Sequence, residues 1–426
     1  MTLTLIVLCI LLLVSVPVGM AFGLAGFQFG SASGIPPQTL ASIPYEAVTS
    51  FPLLAIPLFL LMGDLMQQGN LASQLFLAVN RMVRRLRYSV GYVVIGTCAF
   101  MGAITGSSVA TVVAVGSIIR KPMLERGYPI GYIGALSASA GLLGVLIPPS
   151  IPLIIYGSTA SVSVTTLFLS SFVPGLIFVV AFGITHRLVA PRVLRGRGAV
   201  AESGYEDNEA LRAHRWKDSL PALLMPVIVL GGIYGGIFTP TEAAGVGCVY
   251  ALGVCIYQHR SKFSHYRAGF VSAAISSGAV LSILAFASLF NRALTLQQVP
   301  NAIGALALSV TSDPVVFLLL VTGVMFLIGM LMETNTAVLL MAPLFAPVAV
   351  RYGIDPLHFG VLMVTTIEVG LLTPPMAANV FVASKITGAP IPALLRHVWP
   401  FVVAATVVLM AIVYVPSLTT WPNLLK

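Results

Sequence analysis

The sequence predicts an all-α polytopic membrane protein, built as an inverted repeat with two re-entrant hairpins and two helices broken by paired prolines. Three observations carry that reading. Of 426 residues, 58% are hydrophobic and 8% charged, with a mean hydropathy of +1.00, which is too little polar surface for a soluble domain of this size. Apolar segments of spanning length recur from end to end, and the short alternating segments of an outer-membrane barrel dominate nowhere. Two of the apolar runs are interrupted by Pro148-Pro149 and Pro374-Pro375. A proline pair removes two backbone donors and clashes with the preceding turn, so carbonyls near Gly144 and near Gly370 lose their helical partners at membrane mid-depth. Unwound backbone there must be buried in protein or line a cavity, and a repeated broken helix marks a binding site.

Charge fixes the orientation. A net charge of +9 invites a nucleic-acid partner, but no Lys or Arg precedes Arg81 and seventeen of the 22 basic residues fall in four clusters. These are Arg81 to Arg87, Arg120 to Arg126, Arg187 to Lys217 and Arg260 to Arg267. They are read as cytoplasmic loops, with membrane lipid rather than nucleic acid as the surrounding partner. The N-terminus lacks a basic leader region and a small-residue cleavage site, so it is expected to be a retained helix. Cys9, Cys98, Cys248 and Cys255 lie in apolar segments without metal-ligand spacing and read as packing residues.

Taken in order, residues 2–24 form a first span and 26–50 an external segment containing Glu46 without Lys or Arg. Residues 51–67 cross inward, with Asp64 near the interface or paired with a neighbour. Residues 71–87, apolar and basic at helical spacing, lie on the cytoplasmic surface. Residues 88–118 are flanked by basic clusters on both sides, so both ends are cytoplasmic. With a turn at Thr105-Gly106-Ser107-Ser108, each limb of some 15 residues reaches only about 23 Å, short of the roughly 30 Å hydrocarbon core. That makes a re-entrant hairpin with a polar tip; two helices packed through small residues are the plainer alternative. The broken helix 132–158 crosses outward and 165–188 returns, which closes a first repeat over 1–190. Residues 191–218 form a polar cytoplasmic linker, with Trp216 near the interface.

The second repeat, 219–426, opens with a helix over 220–238. Thr239-Pro-Thr-Glu242 then reads as a capping box in which Glu242 serves its own helix terminus. Residues 268–292 span outward, and Leu296-Gln-Gln298 echoes Met66-Gln-Gln68. A second hairpin, 314–350, has its polar tip at Glu333-Thr-Asn-Thr336 and little flanking positive charge, so it enters from outside. A second broken helix over 359–384 and a crossing at 399–414 complete the chain. The offset between the prolyl breaks is 374 − 148 = 226, and 226 beyond Ser107 lies Glu333, so the halves are repeats.

In that arrangement Ser107, Ser108 and the carbonyls near Gly144, Ile147 and Pro149 form one oxygen cage. Thr334, Asn335 and the carbonyls near Gly370, Thr373 and Pro375 form its counterpart. Hydroxyls and neutral carbonyls suit a hard monovalent cation, Na⁺ first, better than Zn, which favours His or Cys. Half-helices that begin after each tip and each prolyl pair aim positive dipole ends at the same space and favour an anion. No Lys or Arg lies in these elements near mid-depth. Thr105, Ser150, Asn335 and Asn379, with backbone donors and the bound cations, are the candidate contacts for an anionic solute.

The chain resembles the large membrane subunit of tripartite ATP-independent periplasmic (TRAP) transporters along nearly its whole length. The resemblance rests on residues 51–59 (Phe-Pro-Leu-Leu-Ala-Ile-Pro-Leu-Phe), 102–111 (Gly-Ala-Ile-Thr-Gly-Ser-Ser-Val-Ala-Thr), 144–153 (Gly-Val-Leu-Ile-Pro-Pro-Ser-Ile-Pro-Leu) and 235–244 (Gly-Gly-Ile-Phe-Thr-Pro-Thr-Glu-Ala-Ala). Residues 332–335 (Met-Glu-Thr-Asn), 358–360 (His-Phe-Gly) and 370–375 (Gly-Leu-Leu-Thr-Pro-Pro) complete it. It implies a sodium-driven importer of carboxylate solutes in the bacterial cytoplasmic (inner) membrane, with an elevator motion. A separate small four-helix membrane subunit and a periplasmic solute-binding protein are its implied partners. The repeat sets Ser107-Ser108 against Glu333-Thr334, so the two cation sites need not be equivalent, and Glu333 is either a capping residue or a titrating one. A stand-alone Na⁺/dicarboxylate symporter would use the same hairpins without a binding protein. A membrane-embedded enzyme finds no phosphate-binding loop and no His-Glu-x-x-His, and a channel fits the inverted repeat less well than alternating access does. A four-carbon dicarboxylate, a sialic acid or another organic acid all satisfy the sequence as solute.

Overall fold

The computed structural model describes residues 2–14, 16–195, 216–259 and 266–425. Among them every regular element is helical. Pro17, extended at φ −50° and ψ 132°, divides the first apolar run into α1 (Thr2–Leu13) and α2 (Val18–Ala32), so the single span expected over 2–24 is two helices. The expected external segment is also partly helical, because Pro36 and Pro37 open α3 (Pro37–Val48). A 3₁₀ turn at Phe51–Leu54 leads into α4 (Ala55–Gln68), and Phe51–Gln68 is long and apolar enough to cross. Asn70 in the left-handed region starts α5 (Leu71–Val83), which buries Leu71, Leu75, Phe76 and Val79.

The first hairpin is α6 (Ser89–Thr105) and α7 (Ser108–Glu125), turned at Gly106, whose φ of 62° a side chain would disfavour. With 17 and 18 residues the limbs measure about 26 and 27 Å. Arg120 and Lys121 lie inside α7, so this basic cluster is helix end rather than loop. Then come α8 (Ile130–Gly141), the single turn α9 (Leu143–Leu146) and, after the prolyl break, α10 (Ile151–Thr159), bent by 41°. The returning helix α11 (Val164–Val193) is longer than expected and takes in Arg187 and Arg192. It also covers the first residues of the expected linker, of which 196–215 lie outside the described residues.

The second half runs α12 (Trp216–Tyr234), α13 (Pro240–His259), α14 (Arg267–Leu296) and α15 (Val299–Val310). Residues 260–265 of the expected basic loop are outside the described residues, and Arg267 opens α14. The second hairpin is α16 (Pro314–Gly329) and α17 (Thr334–Arg351), and the second broken helix is α18 (Pro356–Gly370) with α19 (Ala378–Thr387). The last long helix, α20 (Ile391–Tyr414), begins before 399, and α21 (Ser417–Thr420) ends the chain with a 3₁₀ turn. Among the described residues six helices are long and apolar enough to span, or seven with the broken pair α8–α10.

The repeat is visible in element borders. Ser108, Ile130 and Val164 open helices in the first half, and Thr334, Pro356 and Ile391 open theirs 226, 226 and 227 residues later. The left-handed residues Asn70 and Gln298 occupy matching places before α5 and α15. The halves interlock, since α10 packs on α17 and α18 while α19 packs on α7 and α8. On one flank α14 lies against α2, α3 and α4, with α13 on α4. Gly19, Gly23 and Gly26 give α2 a bare face for that approach; a methyl at Gly26 would meet the Phe290 backbone nitrogen at 2.7 Å. Leu176, Val180, Ile184 and Leu188 form an exposed apolar stripe on α11, the surface that a lipid-facing helix presents.

Candidate functional site: two hairpin tips on two prolyl breaks

The first tip is assembled by local capping. Ser107 stands extended before α7 and accepts from the Ala110 amide at 3.4 Å. The Thr111 hydroxyl donates to the Ser107 carbonyl at 2.9 Å and lies 2.9 Å from the Thr105 hydroxyl, which itself donates to the Met101 carbonyl at 3.1 Å. The tip rests on the broken helix through one backbone bond, from the Ile151 amide to the Gly106 carbonyl at 3.1 Å. Gly144 makes this approach feasible, because a methyl there would collide with the Thr111 hydroxyl and stand 2.7 Å from the Ser107 carbonyl oxygen. Pro148 and Pro149 carry no N–H, so the Gly144 and Val145 carbonyls lack their helical donors. Thr105, Ser108, Gly144, Ile147, Pro149 and Ser150 are all buried, while Ser107 is half-buried. The Ser150 hydroxyl caps α10 by accepting from the Leu153 amide at 3.5 Å, a structural use of a residue expected to meet solute.

The second tip repeats the plan with different chemistry. Glu333 caps α17, accepting from the Asn335 and Thr336 amides at 3.0 and 3.3 Å and from the Asn335 side-chain amide at 2.6 Å. The capping alternative for Glu333 is therefore the one the geometry realises. The Met376 amide donates to the Met330 carbonyl at 3.0 Å, the counterpart of the bond at the first tip. Gly370 admits the end of α16, since a methyl there would stand 2.7 Å from the Phe326 carbonyl oxygen. Thr334, Thr373 and Asn379 are buried, Asn335 is half-buried and Pro375 is exposed. The Thr373 hydroxyl, both side-chain amide atoms of Asn379 and the Asn335 side-chain oxygen Oδ1 are buried with no protein partner. Polar atoms left in that condition cost about 1–3 kcal/mol each unless water or a ligand meets them.

The residue that unites the tips is Glu368, on α18 and fully buried. Its Oε1 accepts from the Ser108 hydroxyl at 3.3 Å and from the Thr334 hydroxyl at 2.7 Å, while Oε2 has no partner. An ionised carboxylate buried here would lose several kcal/mol of hydration, against about 1.5–3 kcal/mol for each of the two hydrogen bonds, so a cation beside it would favour the charged form. Sequence pattern alone gives neither Glu368 nor Thr111 a role. The available signal was Glu368 itself, an ionisable residue within an apolar run six positions before Pro374.

The oxygen-only donor set fits a hard monovalent cation. Among the described residues no group of three His, Cys, Asp or Glu could hold a metal ion of the zinc class. Elsewhere the capping box is realised, with Glu242 Oε2 accepting from the Thr239 amide and hydroxyl at 2.8 Å each. Cys98, Cys248 and Cys255 are buried free thiols.

Comparison with known proteins agrees along the length of the chain. The chain is 36% identical over 410 residues to the isethionate TRAP transporter permease protein DctMQ of Oleidesulfovibrio alaskensis; the match takes in 96% of this chain but 64% of that longer relative. It is 37% identical over 383 residues to the C4-dicarboxylate TRAP transporter large permease protein DctM of Pseudomonas aeruginosa, covering 90% of this chain and 88% of the relative. With DctM of Rhodobacter capsulatus the identity is 33% over 438 residues, covering 97% of each. In fold it is similar to the crystal structure of the Alcanivorax borkumensis YdaH transporter, described as having an unusual topology. That likeness has a TM-score of 0.62 at 19% identity and covers 91% of this chain and 89% of the other. The family model described as "Tripartite ATP-independent periplasmic transporter, DctM component" matches residues 5–418, and the chain belongs to that family, a multi-pass protein of the inner membrane.

Proposed function

We propose that this chain is the large transmembrane subunit of a binding-protein-dependent importer that takes up organic-acid solutes with Na⁺. The observation that carries the reading is the pair of hairpin tips, each held on a prolyl break by one backbone hydrogen bond, with polar side chains on tips and breaks, the buried and unpartnered Thr373 hydroxyl among them. Na⁺ is held at the first tip by Ser107, Ser108 and the carbonyls of Gly144, Ile147 and Pro149. At the second it is held by Thr334, Asn335 and the carbonyls of Gly370, Thr373 and Pro375. Bound Na⁺ supplies the positive charge that an anionic solute needs in a region without Lys or Arg, and the Asn335 and Asn379 side-chain amides offer donors to the carboxylate. A C4-dicarboxylate is the solute class that the names of two relatives favour, and isethionate, an organic sulfonate, extends the class to other small anions.

The two halves, 1–190 and 219–426, form an inverted repeat whose hairpins and broken helices move as a body against the remaining helices. The linker 191–218 stays on the cytoplasmic side. A small four-helix subunit widens the static part, and a periplasmic binding protein delivers solute. Omission reconstitution tests this reading. Proteoliposomes with the chain, the small subunit and loaded binding protein accumulate solute, and leaving out either partner abolishes it. Robust uptake by the chain alone makes it a stand-alone symporter instead.

A further inference from the structure

We propose that Glu368 is a positioning residue that fastens the two hairpin tips together and, through its charge, sets the Na⁺ affinity of both cation sites; the inference rests on the Na⁺ reading above. The geometry is specific to this side chain. Ser108 is the first residue of α7 and Thr334 the first residue of α17, so the two hydroxyls belong to different hairpins, yet both donate to one oxygen of Glu368. A hydroxyl has one proton and two lone pairs, so donating that proton to Glu368 leaves the lone pairs for a cation. A single carboxylate thus dictates which way the hydroxyl of each cage faces.

Electrostatics favours the same place. The N-termini of α7 and α17 meet at Glu368, and their partial positive charges are complementary to a carboxylate. Glu333 does not compete for the role, because its oxygens are engaged by the Asn335 and Thr336 amides and the Asn335 side chain. Oε2 of Glu368 is buried and without a protein partner. No other described residue reaches both tips with one functional group, and the bond to Ser108 joins positions 260 residues apart.

The experiment is equilibrium binding of ²²Na⁺ to the purified chain with its small subunit, alongside thermal protection by NaCl against choline chloride. Glu368→Gln keeps an oxygen that accepts both hydroxyls, while it removes the charge and puts an amide NH2 in the place of the unpartnered oxygen. It should raise the Na⁺ concentration for half-saturation roughly tenfold while the Na⁺-free melting temperature stays near that of the wild type. Glu368→Leu should raise the half-saturation further and also lower the Na⁺-free melting temperature. Ser108→Ala and Thr334→Val share one acceptor, so the double variant should shift half-saturation by less than the product of the single shifts. Glu368→Asp should recover part of the affinity that Glu368→Gln loses. Wild-type half-saturation in Glu368→Gln, or strictly multiplicative shifts for Ser108 and Thr334, overturns the role of Glu368 and leaves the Na⁺ reading standing. Absence of Na⁺-specific binding in the wild type overturns the Na⁺ reading and this inference with it.

Discussion

Gly144→Ala is the smallest change that should separate the first hairpin tip from its broken helix. The added methyl would overlap the Thr111 hydroxyl and stand 2.7 Å from the Ser107 carbonyl oxygen, where ordinary van der Waals contact begins near 3.4 Å. Relief requires the tip to withdraw by most of an ångström, which stretches the Ile151 to Gly106 bond of 3.1 Å. Overpacking of this kind costs about 1–3 kcal/mol, and a further 1 kcal/mol or so follows for the weakened hydrogen bond. If about 1.4 kcal/mol of that falls on the cation-binding form, half-saturation by Na⁺ rises tenfold. Thermal melting of the purified protein across a NaCl series measures both effects. Gly323→Ala is the control, because no atom lies within 4 Å of the methyl it would add. A Gly144→Ala protein with wild-type melting and wild-type Na⁺ dependence would refute the close packing on which the first cage depends.

Ser107→Ala and Thr373→Ala should each raise the Na⁺ concentration for half-maximal transport while the protein still inserts, as should Ser108→Ala and Thr334→Ala. Unchanged Na⁺ dependence in all four removes these side chains from the cation sites. In a cysteine-free background, Arg84→Cys and Arg120→Cys should both resist an impermeant thiol reagent applied from outside; labelling of only one would convert the first hairpin into a full span. Glu242→Ala should lower the melting temperature slightly, by loss of the two bonds from Thr239, and leave Na⁺ dependence at the wild-type value. A large shift in Na⁺ dependence there would give Glu242 a role beyond its helix terminus.

What the sequence disclosed of this fold depended on the length scale of each signal. Local chemistry was legible: Pro148-Pro149 and Pro374-Pro375 break their helices, Thr105 to Ser108 and Glu333 to Thr336 turn the hairpins, and Thr239 with Glu242 caps α13. The 226-residue offset carried further, because matching breaks and tips recur as matching helix borders. Helix ends were less legible. Hydropathy runs on through Pro17, so α1 and α2 merged, and a basic cluster identifies a membrane side without saying whether the helix stops, which placed Arg120 and Lys121 outside α7. The tie between the tips was not legible at all. Ser108 and Glu368 are far apart in the chain, and nothing local marks a hydroxyl and a carboxylate as partners. Ser150 shows a further limit, since the residue type that greets a polar solute is also the residue type that caps a helix.

The central claim is that the tips and breaks carry Na⁺ and an organic anion together, and solute accumulation in proteoliposomes under imposed gradients tests it most directly. Each Na⁺ entering down a tenfold gradient contributes about 1.4 kcal/mol, and each net charge moved through 100 mV about 2.3 kcal/mol. Two Na⁺ with a monoanion should therefore respond to both gradient and potential, whereas two Na⁺ with a dianion should respond to the Na⁺ gradient alone. With small subunit and loaded binding protein present, the account predicts concentrative uptake under an inward Na⁺ gradient and its collapse when the gradient is dissipated. Uptake of equal size with K⁺ or choline in place of Na⁺ would contradict it.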